Sequence, residues 1–109
     1  MTRAIRSSQL SANEQRLLKL LQQINFGRLR GLRIRKGQPV FDPPPRTQRD
    51  HKFGGQNGPR AEVRLEDYVL KKEVIELFRQ LRQLGNGTIV NLEVRAGLPF
   101  LMTDEEEAA

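Results

Sequence analysis

The sequence predicts an α+β fold: two αββ units in tandem, giving a four-stranded antiparallel sheet with two helices on one face and a pseudo-twofold axis between the units. Three observations lead there. Shifting the chain by 60 residues aligns 14–41 with 74–101 without a gap, and eight of those 28 pairs are identical. The identities include the punctuation residues Gly27/Gly87, Gly37/Gly97 and Pro39/Pro99, which apolar patterning alone does not explain. Each aligned stretch also passes from helical spacing to strand alternation, with a glycine at the following turn. Helices covering one face of an antiparallel sheet are a standard way for such elements to close a core.

The elements follow in order. Ser11-Ala12-Asn13-Glu14 has the form of a capping box, in which the Ser and Glu side chains satisfy backbone donors that a helix start leaves open. Leu17, Leu18, Leu21 and Ile24 then form one apolar stripe. The second helix is expected from near Asp67, with Leu70, Val74, Leu77, Phe78, Leu81 and Leu84 on one face. Asn25 and Gly85 occupy the same repeat position and are residue types that readily enter a left-handed cap.

In the second unit Val90, Leu92 and Val94 alternate as in a half-buried strand. In the first, Leu32 and Ile34 are in phase but Leu29 is not, and a bulge at Gly31 would account for the shift. Lys36-Gly37 and Ala96-Gly97 supply the turns. Pro39 and Pro99 lack a ladder donor, so the return strands belong at edges or irregularities.

These elements divide a single domain of 109 residues into a flexible arm (1–10), a first αββ unit (11–41), a Pro/Gly-rich basic loop (42–60), a second αββ unit (61–102) and an acidic tail (103–109). Within the loop, Pro43-Pro44-Pro45 favours an extended conformation and Arg46–Phe53 can add a short polar edge strand. The tail, with Asp104 to Glu107, is expected to be solvated and mobile.

Composition excludes several functions. There is no cysteine, hence no disulfide, thiolate metal site, iron–sulfur cluster or cysteine nucleophile. His51 is the only histidine, which removes the basis for a His-rich metal site. No apolar run approaches the ~18 residues of a membrane span, and residues 1–14 lack a signal-peptide core. Gly54-Gly55-Gln56-Asn57-Gly58 has neither the GK[ST] ending of a P-loop nor dinucleotide-binding spacing. Asp42, Asp50 and Glu62 with His51 could form an acid–base group, but nothing gathers them into a pocket. The expectation is a soluble, cytoplasmic, non-enzymatic domain that needs no metal or cofactor.

Charge carries the functional signal. The formal net charge is +6. Residues 1–60 hold thirteen Lys or Arg against three acids, a net of +10, whereas residues 61–109 hold six against ten, a net of −4. Arg28, Arg30, Arg33, Arg35 and Lys36 crowd the first strand and its turn. Arg46, Arg49, Lys52 and Arg60 can extend this surface, as can Arg3 and Arg6 in the arm. Guanidinium groups fork onto phosphates and stack on bases, so a nucleic acid or another polyanion is one expected partner. No aromatic pair of the kind that stacks bases on an RNA-binding sheet lies on these strands. The alternative is a structural or interaction module that self-associates or binds a protein, using the charge polarity, the sheet edges, and Leu29 or Ile89 turned to the open face.

Ile24-Asn25-Phe26-Gly27, followed by Leu32, Ile34, Gly37 and Val40, resembles the short bacterial YezD-like proteins, which run helix, I-x-aromatic-G, then a glycine-turned hairpin. The likeness covers about 25 residues of each unit, with one extra residue between the glycines and Asn86 at the aromatic position of the second. It implies the αββ fold and no activity.

Overall fold

Glu14 and Ser11 start the first helix as their spacing requires. The Ser11 hydroxyl accepts from the Glu14 N–H at 3.1 Å, and Glu14 Oε1 accepts from the Ser11 N–H at 3.0 Å. The helix α1 (Ala12–Ile24) ends at Asn25, whose φ of 62° turns the chain while its N–H reaches back to Leu21. The second helix, α2 (Lys72–Leu84), has the same length, lies 60 residues later and ends the same way at Gly85, φ 72°. In this computed structural model, residues 6–53 and 70–107 are described. The expected start of α2 at Asp67 therefore falls outside the described residues, and Leu70 is buried just ahead of the helix rather than within it.

Six strands form instead of four: β1 (Gly27–Arg30), β2 (Leu32–Arg35), β3 (Gln38–Val40), β4 (Arg46–Arg49), β5 (Gly87–Arg95) and β6 (Leu98–Glu106). The difference lies in the first unit. Gly31 divides its outgoing strand into β1 and β2, and Phe41–Pro45 divides its return strand into β3 and β4. All pairings are antiparallel, and the strands lie in four rows. β6 pairs β5, β5 pairs both β1 and β2 end to end, and these in turn pair β4 and β3.

Across the central joint Gly27, Arg28 and Leu29 face Val94, Glu93 and Leu92, while Leu32, Arg33 and Ile34 face Ile89, Thr88 and Gly87. A 60-residue exchange turns the first set into the second. Two backbone bonds tie the units reciprocally: the Gly37 N–H donates to the Gly85 carbonyl and the Gly97 N–H to the Asn25 carbonyl, both at 2.8 Å. Each hairpin turn, with positive φ at Lys36-Gly37 and at Ala96-Gly97, is thus fastened to the helix end of the other unit.

Leu17, Leu21, Leu81, Leu29, Leu32, Ile34 and Ile89 are fully buried between the helices and one sheet face. This corrects two expectations. Leu29 and Ile89 face the core, not the open side, and Val90 is 38% exposed rather than part of a clean alternation. The phase change at Gly31 comes from its φ of 73° and not from an extra residue, since Leu29–Leu32 spans the same count as Leu92–Ile89. The inserted residue is Val90, which bulges against β6.

The outer segments are also more ordered than expected. Ser7–Gln9 of the arm make a 3₁₀ turn, and Leu10 joins the core. The expected mobile tail continues β6 as far as Glu106, which pairs with Gly87. Pro39 and Pro99 lie in edge strands, as their missing donors require. Among the described residues no helix is long and apolar enough to cross a membrane.

Candidate functional site

The open face of the sheet, opposite the helices, is built by alternation. Leu29, Leu32 and Ile34 point into the core, so Arg28, Arg30, Arg33 and Arg35 point out. Strict alternation would have put Arg28 and Arg30 on the face opposite Arg33 and Arg35. The left-handed conformation at Gly31 resets the phase and brings all four guanidinium groups to one side.

Arg46 joins them from β4, directly opposite Arg30. Arg28 donates to Gln48 Oε1 at 3.2 Å, and Arg35 donates to Glu107 Oε1 at 2.9 Å and to the Ile34 carbonyl at 2.9 Å. Arg30, Arg33 and Arg46 are exposed and make no ion pair with a described residue. The basic half covers the β1/β2 row and its β4 neighbour. On the other half, Glu93 stands opposite Arg28 and Glu105 opposite Thr88, so the open face is basic on one side and acidic on the other.

The remaining candidates divide. Lys36 is exposed in its turn, where its N–H donates to Asn86 Oδ1 at 3.1 Å. Arg49 does not share the face: three residues beyond Arg46, it stands opposite core-facing Gly27 and lines a small pocket with Ile24 and Phe26. Lys52 is exposed beyond the end of β4. Arg60, Arg3 and Glu62 lie outside the described residues. Asp42, Asp50 and His51 are all exposed, Asp42 before β4 and the other two after it.

Two features of this face had no sequence signal. Arg95 lies on it 3.2 Å from Glu93 and stacks 3.8 Å over the Phe100 ring. The Arg35–Glu107 pair arises because the acidic segment folds back along β5, which composition alone does not announce.

Comparison with known proteins found no match to a family model, to a curated protein or to a solved structure.

Proposed function

We propose that this chain is a non-enzymatic binding module that holds a polyanion, nucleic acid in the first instance, against the basic half of its open sheet face. The observation that carries this reading is the Arg30–Arg46 pair. Like charges directly opposite on neighbouring strands destabilise a sheet. Here the two arginines face each other with Arg33 further along the same row, and among the described residues no carboxylate neutralises any of the three. A phosphate between them would relieve the repulsion and use the forked donors of both.

From Arg28 to Arg35 the row is about 23 Å long at ~3.3 Å per residue. That length covers about seven base steps along the axis of B-form DNA, at 3.4 Å each. The acidic half beyond β5 repels the same ligand, so the nucleic acid would run along the β1/β2 row and not across the sheet. With no paired aromatics on these strands, contacts to the backbone dominate over base readout.

Retention on immobilised single- or double-stranded DNA tests this. The protein is expected to bind at low salt and elute as salt rises, and the folded variant Arg30→Glu/Arg33→Glu/Arg46→Glu is expected to flow through. Retention of that variant equal to the parent's would refute the reading.

A further inference from the structure

We propose that copies of this chain associate edge to edge, the β4 edge of one copy adding to the β6 edge of the next as an antiparallel extension of the sheet. The reading goes beyond polyanion binding and shares only Arg46 of β4 with it. Among the described residues no strand pairs the outer side of β4 or of β6. Unpaired edges of this kind are templates for another strand.

The two edges are equivalent in place and opposite in charge. Arg49 pairs with Gly27 as Glu106 pairs with Gly87, so Arg46-Thr47-Gln48-Arg49 occupies the position that Thr103-Asp104-Glu105-Glu106 holds in the other unit. The first carries two positive charges and the second three negative ones.

The grooves beside the two edges differ in charge in the same sense. A groove of about 600 Å³ beside β4 is lined by Arg16, Lys19, Phe41 and Pro45. Its counterpart of about 440 Å³ beside β6 is lined by Glu73, Glu76, Phe100 and Leu101, with Arg79 as its one cation among the described residues. Arg16 and Glu76 are 60 residues apart, the same repeat position with the sign reversed.

Strand direction permits the joint. β6 is antiparallel to β5, β5 to β1, and β1 to β4, so β6 and β4 run in opposite directions within one copy. A second copy laid alongside without inversion therefore presents an antiparallel partner, with its helices on the same side of the extended sheet.

Alternation then selects a register. Arg49 and Asp104 both lie on the helix side, opposite Gly27 and Ile89 respectively. Setting Arg49 against Asp104 places Arg46 against Glu107. Phe53 beyond the end of β4, 94% exposed, and Phe100 of β6, 59% exposed, add apolar surface to the two edges. A β4–β4 joint would instead oppose arginine to arginine, which disfavours it.

A head-to-tail joint leaves one edge of each kind free, so the assembly does not close at two copies. Light scattering on nuclease-treated full-length protein should give a mass that rises with concentration at low salt. It should return to the 12.5 kDa monomer near 1 M salt, where the screening length is about 3 Å.

The variants Arg46→Glu/Arg49→Glu and Asp104→Lys/Glu107→Lys, each checked for folding by circular dichroism, should be monomeric alone and associate when mixed. A monomer at low salt overturns the proposal. So does a closed dimer unaffected by the Arg46→Glu/Arg49→Glu change, which would point to Phe100 and Leu101 of two β6 strands. A mixture of the two folded variants that stays monomeric overturns it as well.

Discussion

Gly31 decides more than its size suggests. Its φ of 73° is what lets Leu29 and Leu32 both reach the core while four arginines share the far side. An added Cβ would meet nothing within 4 Å, so the obstacle to substitution is conformation and not space. Gly31→Ala should cost about 1–2 kcal/mol and Gly31→Asn less, because Asn tolerates the left-handed region. Denaturant midpoints measure both.

Gly27 is the contrasting case: a Cβ there would run into the Gln48 carbonyl oxygen, against backbone that cannot swing aside. Gly27→Ala should therefore destabilise more than Gly31→Ala and release the β4 amides to hydrogen exchange. A stability loss no larger than that of Gly31→Ala would contradict this packing.

At the scale of elements, two helices and two hairpins hold each other in place. Each hairpin turn donates to the end of the opposite helix, and Arg82 of α2 reaches the buried carboxylate of Glu14 at 3.3 Å. Leu21 and Leu81, one on each helix at the same repeat position, are both fully buried. Leu21→Ala and Leu81→Ala should each cost about 2–5 kcal/mol, with similar values for the pair. Thermal or urea unfolding of the two variants gives the comparison, and a cost below 1 kcal/mol for either would count against a shared core.

Both helix ends, the capping box at Ser11 and both turns were legible because each depends on local chemistry at fixed spacing. The acidic end of β6 was not. A run of carboxylates at a sheet edge buries nothing, so its pattern resembles a solvated tail, and only pairing with β5 reveals the strand. Val90 misled for a related reason, since a bulge changes the phase that alternation relies on. β4 was legible only in outline: its four residues are all exposed, so polarity indicated an edge but not which side Arg49 would take.

Over the whole molecule, the +10/−4 division along the chain becomes a division across the sheet. The first unit supplies the basic rows, and β6 with Glu93 supplies the acidic one. That polarity could be seen in the sequence, but the shared face of Arg28, Arg30, Arg33, Arg35 and Arg46 required the turn of phase at Gly31 and the register of β4.

The salt dependence of single-stranded oligonucleotide binding, followed by fluorescence anisotropy, tests most directly whether that face holds a polyanion. Five phosphate contacts predict a log–log slope of about −3.5 for a single strand, and Arg30→Gln/Arg33→Gln/Arg46→Gln should reduce its magnitude by about 2. A flat salt dependence, or the same slope in parent and variant, would contradict binding at the basic face.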